Sequence, residues 1–211
     1  MSEHLELAEW RRRVAMMYAA LRADERPGPT RAAEFRSAKD RLFAEHPSTP
    51  IAVPDRPHFS GLTYWPYQPE LALRAHLEPD PEADAPHVPR SGDGAQIPFT
   101  RVGWVNFAVS GEPCRLSVLW INEYSGGIFI PFRDGSSGSS TYGGGRYLWD
   151  SAKGADLGTD GDELILDFNF AYHPSCVYDP RWSCPLAPPE NRLVVPIEAG
   201  ERLEPKAHDD H

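Results

Sequence analysis

The sequence predicts a mainly β protein of the α+β class: an antiparallel β-barrel or β-sandwich body with one or two N-terminal helices packed on it. Three observations carry this expectation. Apolar residues recur at three- and four-residue steps only near the N-terminus, and the period changes to two from about residue 58. Twenty-two prolines and seventeen glycines among 211 residues punctuate the remainder and leave little room for uninterrupted helix. Six Trp, eight Tyr and nine Phe supply enough large side chains for a core, which excludes wholesale disorder. The chain divides into a helical arm at 1–50, a β body at 51–202 and a polar tail at 203–211.

Each element follows from its local pattern. Over residues 4 to 23, Leu7, Trp10, Val14, Met17, Tyr18 and Leu21 line one helical face, with Glu9 and Arg11 to Arg13 between them. Such a stripe packs against the body or forms a dimer through the N-terminal helix. Pro27-Gly28-Pro29 stops this helix. Thr30 is then placed to cap a second one over about 31–45, with Phe35, Ala38, Leu42 and Phe43 on one side. His46-Pro47 ends it, since a residue before proline is pushed out of α geometry. Beyond it, Leu71, Leu73, Ala75 and Leu77 alternate as in a half-buried strand. Residues 79–94 hold four prolines, three Asp and two Gly and read as a loop. Strands are expected near 97–109 and 114–121, joined at Gly111-Glu112-Pro113, and again at Ile128–Phe132, where Pro131 demands an edge or a bulge. A strand over Leu164–Tyr172 would put Leu164, Leu166, Phe168 and Phe170 in the core and Asp167 and Asn169 on the other face. Leu193, Val195 and Ile197 alternate as a last edge strand.

The net charge of −10 disfavours a nucleic-acid partner, whose phosphates attract Lys and Arg, and equally an anionic membrane surface. No apolar run approaches the ~18 residues a bilayer span needs. The first residues lack the basic and apolar regions of a signal peptide, and there are only three cysteines, so the expected location is cytoplasmic with reduced thiols.

Unusual residue choices concentrate between Gly127 and Glu201. Arg133 and Asp134 follow an apolar strand directly, where scaffolds place functional side chains; the opposing reading has Asp134 capping its own turn with Arg133 as its partner. In Tyr142-Gly143-Gly144-Gly145-Arg146-Tyr147, successive glycine N–H groups can form an anion nest, and Arg146 adds a fork for a carboxylate or phosphate. A tight hairpin with a surface arginine explains the same residues. Asp167 and Asn169 would face a cavity in a closed barrel, and there Asp167 would need a partner such as Arg133 or Arg146. His173, Cys176 and Cys184 include zinc-binding residue types, but their spacing lacks a Cys-x-x-Cys knuckle. Free thiols in a proline-stiffened loop are the expected state, and no cofactor is expected, zinc being the alternative. Glu190 and Glu201 are candidate partners for the loop arginines.

Several of these runs, in this order, resemble the bacterial and archaeal family known as domain of unknown function 1684. They are Phe129-Ile130-Pro131-Phe132-Arg133-Asp134, Thr141 to Tyr147, Leu166 to Asn169, Ala171-Tyr172, Cys176, Cys184-Pro185-Leu186, Pro188 to Leu193 and Ala199-Gly200-Glu201. Trp10, Lys39 to Phe43 and His46-Pro47 extend the likeness, which spans about residues 10–201. The chain departs from the family pattern at His173, where Asn is expected, at Ala187, where Pro is expected, and at Ser139-Ser140, where charged residues are usual. The resemblance implies no activity.

Three functions fit these residues. The first is a pocket for a small polar or anionic ligand, with Arg133 and Arg146 as donors, Gly143 to Gly145 as a cradle beside Tyr142, and Asp167 and Asn169 orienting polar groups. The second is a small-molecule hydrolase, metal-dependent or not, with Asp134 or Asp167 as general base or metal ligand. The third is a non-catalytic interaction module in which the Arg, Asp and Asn side chains form a buried structural network. Whether the chain is an enzyme stays open at this point. Convergence of Asp167, Arg133 and Arg146 on an open pocket separates the first two from the third.

Overall fold

The computed structural model describes residues 2–81, 87–90, 94–122 and 126–204. Most of the expected polar tail and part of the 79–94 loop therefore lie outside the described residues. Two helices lead in, α1 (Glu3–Ala23) and α2 (Gly28–Glu45). The second begins earlier than a Thr30 cap would place it. Pro29 sits in its first turn, where a missing N–H costs nothing, and the Pro27 carbonyl accepts from Thr30 N at 2.9 Å and Arg31 N at 3.1 Å. An aromatic relay ties the layers together. Tyr18 of α1 meets Phe35 of α2 edge-on at 5.0 Å, and Phe35 meets Phe170 of the body at 5.2 Å.

Among the described residues eight strands follow: β1 (Ala72–Pro79), β2 (His87–Pro89), β3 (Gln96–Val109), β4 (Glu112–Ile121), β5 (Ile128–Phe132), β6 (Arg146–Asp150), β7 (Thr159–Asp160) and β8 (Glu163–Asp167). Seven of them make one antiparallel sheet in the order β6-β5-β4-β3-β1-β8-β7, with β2 paired to β3 beside that path. The sheet curls as a half-barrel, so the fold is mainly β with two N-terminal helices, the barrel-like form of the expected body. Its inner face buries Val105, Leu116, Val118, Ile130, Leu148 and Leu166 in the same core that takes Tyr18, Leu21 and Phe35 from the helices. Among the described residues no helix is long and apolar enough to cross a membrane.

Several local expectations change. The β3–β4 turn is Ser110-Gly111, both at positive φ, so Glu112 and Pro113 already belong to β4. β5 is an interior strand of the sheet, and Pro131 is accommodated by a register shift between Ile130 and Pro131. β8 ends at Asp167, because that carboxylate accepts the backbone N–H of Asn169 at 3.0 Å and turns the chain into a 3-10 helix over Phe168–Phe170. The segment 193–197 is no strand either. Pro196 has no N–H, and Ile197 N donates to the Asp134 side chain at 2.9 Å rather than to a neighbouring strand.

Candidate functional site

A cavity of about 270 Å³ lies between the helical arm and the body. Trp10 and Met17 of α1, Phe43 of α2, and Tyr147, Tyr172 and Tyr178 of the body give it an aromatic and apolar wall. Lys39, Asp150 and His173 are the buried polar residues in that wall, while Arg11 and Lys153 stand at its exposed side. Burial holds the Tyr147, Tyr172 and Tyr178 hydroxyls well above their ordinary range, so they remain neutral.

Lys39 sits on α2 one turn after Phe35 and within a turn of Leu42 and Phe43, on the helix's buried stripe. Its ammonium therefore needs a buried partner, and Glu201 supplies one at 2.5 Å, with side-chain exposures of 8% and 2%. The Lys39 Nζ also lies 4.5 Å from the centroid of the Tyr172 ring and 5.4 Å from that of Phe43. The second Glu201 oxygen accepts His173 N at 2.7 Å and the Tyr178 hydroxyl at 3.0 Å. Burial pushes the Glu201 carboxyl up, but Lys39 and His173 more than offset this and hold it below its ordinary value. His173 is held down to about 4 by burial against the attraction of Glu201. Its neutral ring accepts Tyr142 N on Nε2 at 3.4 Å, which assigns the proton to Nδ1 on the Glu201 side.

Of the residues singled out by sequence, Asp134 with Arg146 and Asp167 with Asn169 form two separate groups. Arg146 and Asp134 come together as a buried ion pair at 2.8 Å, each side chain 1% exposed. The guanidinium also donates to the carbonyls of Ile197 at 2.7 Å, Ala199 at 2.5 Å and Glu201 at 2.9 Å. Asp134 accepts in addition from Ser136 N and Oγ, Ser137 Oγ and Ile197 N. Arg133 is not its partner: neighbours on extended backbone point to opposite sides, and Arg133 bonds through its main chain to Asn191 and Leu193. Gly143 is exposed, whereas Gly144 and Gly145 are closely packed. A side chain on Gly144 would run into Tyr142 and Leu186, and Gly145, at φ +101°, has the Phe132 carbonyl 2.5 Å from where a Cβ would sit.

Asp167 and Asn169 form the second group. The Asp167 carboxylate accepts from Asn169 N and Nδ2, and Asn169 in turn bonds both backbone groups of Gln68, at 2.7 and 2.8 Å. Burial raises the Asp167 carboxyl above its ordinary value. It borders a cleft of about 200 Å³ with Arg22, Arg31 and Arg74, and among the described residues neither Arg133 nor Arg146 is ion-paired with it. Among the described residues no disulfide joins Cys114, Cys176 or Cys184. The Tyr142 hydroxyl and the Cys184 thiol both contact Cys176; burial raises Tyr142, and the hydrogen bond with Cys176, then burial, raises Cys184. Among the described residues no group of three His, Cys, Asp or Glu side chains is placed to hold a metal ion.

Sequence reasoning misses Lys39, Asp150 and Asn191. Asn191 is fully buried; its Oδ1 accepts Ser117 N and Oγ at 2.7 Å, and its Nδ2 donates to Ser117 O at 3.1 Å and Pro131 O at 2.7 Å. Glu201 is expected to pair with a loop arginine; instead its main-chain carbonyl meets Arg146 and its carboxylate meets Lys39.

A curled antiparallel sheet sealed by a buried arginine network and roofed by two helices over a cavity defines the class: an α+β protein with an interlayer pocket. The chain belongs to the family described as "Protein of unknown function (DUF1684)", whose model matches residues 57–202. That match takes in Asp150, His173 and Glu201 and leaves Lys39 and the helical arm outside it. Among solved structures, the chain is similar to the solution NMR structure of the uncharacterized protein from gene locus rrnAC0354 of Haloarcula marismortui. The two are 33% identical, with 84% of this chain and 95% of that one covered and a TM-score of 0.61. Among curated proteins nothing matches the chain.

Proposed function

We propose that this protein binds a small polar or anionic ligand in the cavity under the helical arm. The observation that carries the reading is Lys39, a buried ammonium in the cavity wall with, among the described residues, one hydrogen bond, to Glu201, and aromatic faces beside it. An ammonium has three N–H donors and rings satisfy them poorly, so an acceptor on a ligand fits the remainder. Arg146, by contrast, has both terminal nitrogens engaged within the fold, and Asp134 both oxygens. Five donors surround the two Asp134 oxygens, which gives the hydrolase reading no free base there. The saturated network favours one element of the interaction-module reading, a structural role for Arg146, without requiring a protein partner. The compartment that fits three cysteines outside disulfides is a reducing one, the cytoplasm.

Thermal-shift screening against small carboxylates and phosphates tests the proposal. A stabilising ligand should lose its shift in Lys39→Met, which keeps the apolar stem. Because that change strands Glu201, Lys39→Met with Glu201→Gln is the paired control. A ligand shift that survives in both variants would overturn the assignment of Lys39.

A further inference from the structure

We infer that the ligand of this cavity also carries a hydrogen-bond donor, best supplied by a protonated amine, and that Asp150 is the residue that receives it. This rests on the cavity reading above. Asp150 is the last residue of β6 and its side chain is 4% exposed. Its Oδ2 meets Lys153 at 3.2 Å, whereas its Oδ1 is buried with no hydrogen-bond partner among the described residues. A carboxylate oxygen removed from water without a donor is rare in a folded protein and marks a place where a further group belongs. The backbone cannot swing to relieve it, because Asp150 N and O are both bonded to Ala155, at 2.9 and 3.0 Å.

The surroundings suit a cation. Tyr147, Tyr172 and Trp10 line the same cavity, and the faces of such rings attract an ammonium. A second wall atom, Trp182 Nε1, is also buried without a partner among the described residues and offers a donor to an acceptor on the ligand. Lys39 offers another. One carboxylate for an amine, two donors for an acid and an apolar wall between them describe an amphoteric molecule with an aromatic or branched body, in the manner of an amino acid.

Calorimetric titration of the full chain with three matched probes tests this: L-phenylalanine, 3-phenylpropionate, which lacks the amine, and 2-phenylethylamine, which lacks the acid. Phenylalanine should bind at least about tenfold tighter than either, the equivalent of roughly 1.4 kcal/mol. Asp150→Asn, which preserves shape, should weaken phenylalanine and phenylethylamine about tenfold and leave phenylpropionate unchanged. Equal binding of phenylalanine and phenylpropionate to the unaltered protein would overturn the inference without requiring any variant to fold, and would leave the cavity reading standing with water at Asp150. Loss of binding by all three probes, together with a blank carboxylate and phosphate screen, would overturn the cavity reading and this inference with it.

Discussion

Arg146→Met asks whether the most deeply buried arginine is part of the fold or part of a binding surface. The guanidinium satisfies one carboxylate and three carbonyls, so its removal strands Asp134 together with Ile197 O, Ala199 O and Glu201 O. Breaking a buried ion pair by deleting one partner costs about 3–5 kcal/mol, and each stranded carbonyl adds up to roughly 1–3 kcal/mol, without full additivity. Asp134 keeps four other donors, which limits the loss, so a total of about 4 kcal/mol is expected. Domains of this kind have roughly 5–15 kcal/mol in all, so the variant sits near the edge of folding. Urea unfolding followed by tryptophan fluorescence reads the effect. With a slope near ~3 kcal/mol per molar urea, the midpoint should fall by more than about 1 M. Arg146→Lys, which keeps the charge but points a single ammonium at a site built for a fork, should lose about half as much. Pairing Arg146→Met with Asp134→Leu should recover part of the loss, because no charge is then left buried alone. A midpoint within about 0.3 M of the parent, at unchanged slope, would refute the structural role and return Arg146 to the list of ligand donors.

Two further outcomes follow from neighbouring residues. His173 is neutral in the folded state down to about pH 4, whereas an unfolded histidine takes up its proton near pH 6.5. Between those values the unfolded chain binds more protons, so stability falls as the pH drops, by about 3 kcal/mol across the window. His173→Asn should flatten urea midpoints measured from pH 7 to 4.5, and an unchanged slope would show that another group titrates there. Glu201, whose carboxyl is held low, adds its own loss only as the pH falls below about 4.3, the unfolded carboxylate range. Gly200→Ala puts a Cβ at φ +74°, 2.5 Å from Ala171 O and 2.7 Å from Phe168 O, and displaces the chain leading to Glu201. Its melting temperature should drop by at least about 4 °C, from roughly 2 kcal/mol at a few degrees per kcal/mol, and a drop under about 1 °C would show that the turn relaxes without loss.

What the sequence reveals and conceals here depends on how far each residue's partner lies along the chain. The buried stripe of α1 and the inward row Leu73, Ala75, Leu77 of β1 are local periodicities, and the structure matches them. Past Asp167 the alternation continues through Phe168 and Phe170, so periodicity alone extends β8. The competing signal is an Asp two residues before a backbone N–H it can capture, and that local bond wins over the ladder. Arg146 stands out by type, but the carbonyls it serves lie 51 to 55 residues on, from Ile197 to Glu201, and a main-chain acceptor leaves no residue-type signature.

Lys39 is the instructive case. Phe35, Lys39, Leu42 and Phe43 follow helical spacing, which places a lysine in the middle of an apolar stripe. A cation there must be paired with a carboxylate once the stripe is buried, and the carboxylate has to come from the surface that the helix covers. That reasoning demands an acidic residue on the β body, without saying which one. Glu201 meets the demand from 162 positions away. The same pair joins the helical arm to the body beside the cavity, so a change that frees Lys39 from Glu201 should disturb arm docking and the proposed ligand binding together, whereas a change at Arg146 acts on the fold beneath both.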